Sequence, residues 1–290
     1  DCSETDGKRY VETAQTASAY TEYRQGRAVG IFGGAYGTYD YKSEYNSYTN
    51  QPFLGNAFIN FRPTNTDELK SNVNNVIDEI YGAGQGYPGD GDADKMQNSS
   101  YILIDIPQDM NNFKSTKVFG AGAWSGLGIG VDVPADDSND ATKIAARNGV
   151  SAIIDLVRGQ LATAYGGSYR EGVTRRSVIN VPTGSTIAIG SIFGGAYGTD
   201  TFSPCDVYEA NVNYNSADAT LIYDPATNER YQGAIYGGNN NERRTLYGRV
   251  NIGSKVVQQK VIQYKDEIKG MEQGQVLNTT ATIYGAGRGA

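Results

Sequence analysis

The chain is 290 residues long, 39% hydrophobic and formally −7 at pH 7. An acidic surface repels nucleic-acid phosphates and anionic lipid headgroups, so neither is an expected partner. There is no histidine at all, which removes Ser-His-Asp triads, Cys-His dyads and imidazole metal sites together.

The composition stands out for 37 glycines and 22 tyrosines. Glycine serves backbone positions of positive φ or close chain approach. Tyrosine suits half-buried strands, with its ring packed and its hydroxyl wet. Together they predict β-structure with frequent turns. No apolar run approaches the ~20 residues of a membrane-spanning helix. Cys2 and Cys205 are the only cysteines. They make neither a disulfide framework nor, without histidine, a zinc site. The chain opens at Asp1-Cys2-Ser3 without a signal peptide and closes inside a recurring pattern. The expectation is one domain over 1–290, a mature or excised portion of something longer.

That pattern is aliphatic–aromatic–Gly–(Gly or Ala), and it occurs seven times. The first copy, Ile31-Phe32-Gly33-Gly34, is followed later by the string Ile59-Asn60-Phe61. Next, Leu69, Val73, Val76, Ile77 and Ile80 recur at helical spacing behind the capping candidates Thr66 and Asp67. Val76 to Ile80 equally suits a strand. The second copy, Ile80-Tyr81-Gly82-Ala83, precedes the alternating Tyr101-Ile102-Leu103-Ile104-Asp105-Ile106. After the third, Val118-Phe119-Gly120-Ala121, residues 141–161 form a second helical candidate behind Asp140. The last four are Ala164-Tyr165-Gly166-Gly167, Ile192-Phe193-Gly194-Gly195, Ile235-Tyr236-Gly237-Gly238 and Ile283-Tyr284-Gly285-Ala286.

Steps between the aromatic positions are 49, 38, 46, 28, 43 and 48 residues, which reads as a fixed unit with loops of varying length. The shortest step shows the bare unit: Ser177 to Val181, then Ser185 to Ile189, then Phe193. Tyr165 to Pro182 overlays Tyr236 to Gly253, placing Ile179-Asn180-Val181 on Val250-Asn251-Ile252. One such unit cannot bury its own apolar face, so units are expected to stack, aromatic against aromatic, with glycines at sharp corners. The expected fold is an all-β, parallel β-helix-like solenoid with irregular loops and short inserted helices; a Gly-rich sandwich or propeller is the alternative.

Candidate chemistry is sparse. Glycine strings such as Gly82-Ala83-Gly84-Gln85-Gly86 lack the following helix of a dinucleotide site and recur in every unit. Asp90, Asp92 and Asp94 alternate in a loop that is a candidate for Ca²⁺, although the later glycine and glutamate of an EF-hand are missing. Arg175-Arg176 and Arg243-Arg244 follow their Gly-Gly corners at similar distance. They suit either a basic ladder for acidic sugars or a surface network with Glu171 and Glu242. Tyr36, Tyr39 and Tyr41 lead an aromatic cluster suited to glycans or protein partners. Trp124 is a sugar platform or a core plug. A Cys2–Cys205 bridge is not expected, because four stacked steps of ~4.8 Å exceed the ~7 Å reach of a disulfide.

The strings Gly194-Gly195-Ala196-Tyr197-Gly198-Thr199-Asp200, Tyr236 to Gly248 and Tyr284 to Gly289 resemble those of large glycine-rich repeat surface proteins of Bacteroides-type bacteria, chiefly over about 160–290. The resemblance implies export to the cell surface or outer membrane, and adhesion or envelope architecture with other surface proteins or glycans as partners. It supplies no catalytic residue. Open solenoid ends also invite self-association. A β-helix polysaccharide-active enzyme and a non-catalytic glycan-binding module are the alternatives.

Overall fold

The computed structural model describes residues 4–5, 8–9, 18–34, 55–64, 77–86, 99–107, 110, 112–127, 151–198, 205–226, 232–241, 244–265 and 267–288. Among these residues there is no helix, and the all-β expectation holds. The strands form one large, mostly parallel sheet and two small ones.

Successive passes of the chain lie side by side along three ladders. The first runs β3 (Ser18–Tyr23), β5 (Asn56–Phe61), β7 (Ser100–Asp105), the start of β9 (Ala152–Tyr165), β11 (Thr174–Val181), β14 (Val207–Tyr214) and β17 (Thr245–Ile252). The second carries the seven motif copies. They end β4 (Ala28–Phe32), β6 (Ile77–Tyr81), β8 (Lys117–Phe119), β9, β12 (Thr186–Phe193), β16 (Ala234–Tyr236) and β20 (Thr282–Tyr284).

A shorter third ladder joins the middle of β9, the start of β12, β15 (Thr220–Tyr223) and β18 (Val257–Val261), where β19 (Val276–Thr280) adds antiparallel. Past the corners β10 (Tyr169–Arg170) pairs with β13 (Tyr197–Gly198). Single bridges extend that line from Gln85 through Ala123 to Asn240 and Arg288. A hairpin of β1 (Glu4–Thr5) and β2 (Lys8–Arg9) makes its own small sheet.

Alternation along the strands decides what faces inward. Ile59, Ile102, Ile154, Ile179 and Val212 align in register as one aliphatic column, and Phe61, Ile104 and Leu156 as another. All of these are essentially inaccessible to solvent. The overlay of Ile179-Asn180-Val181 on Val250-Asn251-Ile252 is reproduced, with Val212-Asn213-Tyr214 between them.

The motif aromatics form a continuous stack. Phe32, Tyr81, Phe119, Tyr165, Phe193, Tyr236 and Tyr284 follow one another at centroid distances of 4.4–5.1 Å, with planes within 3–12° of parallel. Each such pair adds about 0.5–1.5 kcal/mol beyond its area burial.

The glycine that follows each aromatic turns the corner. The N–H of Gly33, Gly82, Gly120, Gly166, Gly194 and Gly237 donates to the carbonyl of the aromatic in the next pass, at 2.8–2.9 Å. A Cβ on any of these six would sit 2.1–2.7 Å from the carbonyl oxygen of the next pass's glycine. Beneath the corners runs a column of small residues on the first ladder: Ala19, Ala57, Ser100, Ala152, Ser177, Ala210 and Gly248. Ser100 Oγ and Ser177 Oγ each donate to a corner carbonyl, those of Gly120 and Gly194, at 2.5 Å.

Neither helical candidate is helical where it is described. Ile77 and Ile80 belong to β6, and 152–161 to β9. Both isoleucines are fully buried. Parallel bonding of β6 to β4 and β8, and of β9 to β7 and β11, takes the backbone groups that a local helix would use. Residues 65–76 and 128–150 lie outside the described residues.

Two predictions follow from the packing. Gly166→Ala places a methyl 2.2 Å from the Gly194 carbonyl and 2.7 Å from Ser177, so urea denaturation should show a loss of about 1–3 kcal/mol. Burial also pushes the phenols of Tyr23 and Tyr214 from 10.0 up to about 12. A raised pKa means that the fold keeps the protonated phenol. The associated stability is complete below about pH 10 and is lost as pH climbs through 12. Melting temperature followed from pH 8 to 12 should therefore fall above 10, and Tyr214→Phe should flatten that fall.

Candidate functional site

Among the described residues the inward faces are closed by aliphatic and aromatic columns, which leaves the outer faces and the corners for chemistry. On the outer face of the first ladder an amide column runs across passes. Asn251 Nδ2 donates to Asn213 Oδ1 at 2.7 Å, Asn213 Nδ2 to Asn180 Oδ1 at 2.9 Å, and Asn180 Nδ2 to Asp155 Oδ1 at 2.7 Å. Tyr101 closes the column by donating to Asp155 Oδ2 at 2.6 Å. Burial, then that bond to a carboxylate, holds the Tyr101 phenol well above its usual range. Nearby, Asp105 accepts from Arg62 Nε at 2.8 Å and from Arg158 Nε. These carboxylates tie neighbouring passes together.

The structure separates the arginines that the sequence brackets together. Strand β14 lies between β11, with Arg175 and Arg176, and β17, which Arg244 precedes. The Arg175 guanidinium sits 4.8 Å over the Tyr208 ring, and Arg176 Nε is 3.6 Å from Glu209 Oε1. Arg244 reaches back to Asp206, Nη2 to Oδ2 at 3.1 Å, and its backbone N–H donates to Asp206 Oδ1 at 3.1 Å. Register aligns Arg176 with Glu209 and Tyr247, so the described arginines make cross-strand pairs and no basic ladder. Glu171 is buried. Arg243 and Glu242 lie outside the described residues, as do Tyr36, Tyr39, Tyr41, Asp90, Asp92 and Asp94. Among the described residues no three His, Cys, Asp or Glu side chains gather as a metal site.

At the corner line the side chains are unusual. Trp124 and Arg170 both take left-handed backbone angles, φ 52° and 68°, which costs a non-glycine residue of order 1–3 kcal/mol. Each directly follows a bridged position, Ala123 and Tyr169. The Arg170 guanidinium lies 5.2 Å from the Trp124 ring centre and 4.9 Å from that of Tyr169. Tyr169 in turn stacks on Tyr197 at 5.4 Å. The Trp124 indole N–H and Arg170 Nε are buried and have no hydrogen-bond partner among the described residues. Trp124 is thus a half-buried platform sharing a cation with a tyrosine stack, between the two roles its sequence position suggests. Arg170 carries no local signal in the sequence; only the pairing of Ala123 with Tyr169 brings it to Trp124.

Cys205 is buried, with its thiol 3.5 Å from the Ser168 carbonyl and 3.7 Å from that of Tyr197. At the pass that ends in Tyr284 an open cavity of about 560 Å³ is lined by Asn239, Asn241, Arg244, Thr245 and Arg288 over Gly285. Asn239 is saturated: its Oδ1 accepts from Ala196 N and Thr245 Oγ1, and its Nδ2 donates to the carbonyls of Cys205 and Arg244.

No protein-family model, curated protein or solved structure matches this chain.

Asp206 holds both a backbone N–H and a guanidinium, whereas the Arg244 side chain is 77% exposed. Asp206→Ala should therefore cost about 1–3 kcal/mol in urea denaturation. Arg244→Ala should cost less than about 1 kcal/mol.

Proposed function

We propose that this chain is a parallel β-helix-like solenoid that serves as a non-catalytic scaffold of the bacterial cell surface, presenting its outer faces to other surface proteins or glycans. The observation that carries the architecture is the seven-ring aromatic stack, one ring per pass, running in register beside three parallel ladders. The scaffold role draws support from the engagement of Asp105, Asp155 and Asp206 in ties between passes and from the absence of histidine. Location at the surface rests on the resemblance to glycine-rich repeat proteins of Bacteroides-type bacteria.

A solenoid pass touches only its neighbours, so one whole pass can be removed without opening the core. Deleting residues 166–193 joins Tyr165 to Gly194 and brings β9 beside β14, where Asp155 meets Asn213. The shortened chain should remain β-rich by circular dichroism and unfold cooperatively. Loss of folded structure would count against the architecture.

The role has its own test. Acidic and neutral polysaccharides incubated with the chain and Ca²⁺ should show no new reducing ends and no unsaturated products; release of either would overturn the non-catalytic reading. A second reading, glycan binding without turnover, is favoured by the corner at Trp124. There the Arg170 guanidinium lies against the rings of Trp124 and Tyr169, a cation beside aromatic faces, which fits the chemistry of an acidic sugar. On a glycan array, binding to uronate-containing glycans should be lost in Arg170→Ala. Equal binding by that variant would remove the second reading.

A further inference from the structure

The first ladder ends in a corner of its own. Continued one step past β3, β5 and β7, the register sets Arg24, Arg62 and Asp105 side by side. On the far side of Asp105, β9 slips its register and aligns Arg158 with it. Gly159 follows at φ 110° and turns the chain into the third ladder. Arg62, Asp105 and Arg158 lie on three adjacent passes, flanked on both sides by described ones, β3 beside β5 and β11 beside β9.

Asp105 is buried, its side chain only 8% exposed, and each of its oxygens holds one guanidinium. Arg62 Nε donates to Oδ2 at 2.8 Å, and Arg158 Nε donates to Oδ1. Both contacts run through Nε alone, and among the described residues the Nη groups of the two arginines have no bonded partner. Their side chains are 48% and 44% exposed.

Tying passes together needs one cation per carboxylate. A second guanidinium on Asp105 leaves one positive charge uncompensated. Arg24, next in the row, is already paired with Glu22 and adds none. On a chain of formal charge −7, this is a basic spot clamped in place by a buried acid. Such clamping removes in advance the rotamer freedom that an exposed arginine loses on binding.

The Nη edge of a guanidinium is a planar fork for two oxygens of an oxyanion. One fork fills a carboxylate. Two forks, brought by the passes on either side of Asp105, suit a tetrahedral head with three free oxygens. The single uncompensated charge matches the one negative charge of a sulfate ester, where a phosphate monoester carries about −1.5 to −2.

Beside the spot the same face turns apolar. Alternation places Leu103 two residues before Asp105 and Tyr101 two before that. Phe58 lies next to Tyr101, with ring centres 6.5 Å apart, and is 41% exposed. Asn60 and Asp155 flank Leu103 and offer polar groups to hydroxyls.

We propose that Arg62 and Arg158, set by Asp105, bind the sulfate ester of a glycan whose sugar ring lies over Leu103 toward Phe58 and Tyr101. The proposal rests on the reading that the outer faces are presented to ligands. It needs neither the corner at Trp124 nor the absence of turnover.

Isothermal titration calorimetry with a sulfated galactan oligosaccharide free of uronate tests it, beside the same oligosaccharide desulfated. Wild type should bind the sulfated form at least tenfold more tightly than the desulfated one. The double change Arg62→Lys with Arg158→Lys keeps both charges and removes both forks. It should keep the wild-type circular dichroism spectrum and lose at least tenfold in affinity. Arg62→Gln, which leaves Arg158 on Asp105, should show the same direction of loss and serves if the double variant unfolds. Arg170→Ala should bind as wild type does. No binding up to about 10 mM ligand, equal affinity for the desulfated form, or unchanged affinity in the arginine variants would each overturn the proposal. So would tighter binding of the matched phosphorylated oligosaccharide, equal competition by inorganic sulfate, or loss of binding in Arg170→Ala. Failure on any of these counts leaves the stacked architecture and its pass-deletion test untouched.

Discussion

The structure depends on a steric constraint at one atom, the hydrogen that stands in for a side chain on each corner glycine. With it, the carbonyl oxygen of the following corner comes within 2.1–2.7 Å of where a Cβ would stand, well inside van der Waals contact. The corner N–H can then bond the next aromatic's carbonyl at 2.8–2.9 Å. Ladder spacing is thereby set at a strand-to-strand distance, which is also the distance at which aromatic rings stack face to face. The rings, the glycines and the small-residue column are three consequences of one spacing.

Because that spacing is local to each pair of passes, loop length is free to vary. The passes differ by up to 21 residues in sequence step, and the corner ladder keeps its register across that difference. The same logic places the polar side chains. Asn180, Asn213 and Asn251 repeat at one register position, and each bonds its neighbour across the ladder. Amide columns of this kind satisfy side chains that would otherwise be half-buried without partners. Where the column meets β9 the residue is Asp155, and Tyr101 supplies the donor that a carboxylate needs.

Among the described residues the distinctive side-chain chemistry gathers at the corners. The corner at Trp124 and Arg170 holds strained backbone and unpaired donors in one place. The pass that ends in Tyr284 shows an exposed aromatic and, at Gly285, a corner with no described neighbour. Within the stack such features are silent because a neighbour covers them.

The sequence by itself determined the repeat, the class of secondary structure and the stacking of the aromatics, because each is written in residues that recur: Phe32 to Tyr284, the glycines after them, and the alternation around Ile179-Asn180-Val181. It also excluded histidine-dependent chemistry outright. It could not decide the state of 77–80 and 152–161, where helical spacing is overruled by parallel partners at least 25 residues away in the chain. It bracketed Arg175-Arg176 with Arg244 by their distance from Gly-Gly corners, whereas the fold pairs them with Tyr208 and Glu209 on the strand between and with Asp206 just before it. Nor did it mark Arg170, which matters only because Tyr169 bridges to Ala123. Contacts between passes belong to residues far apart in sequence, and only their register, a property of the folded chain, decides which side chains meet.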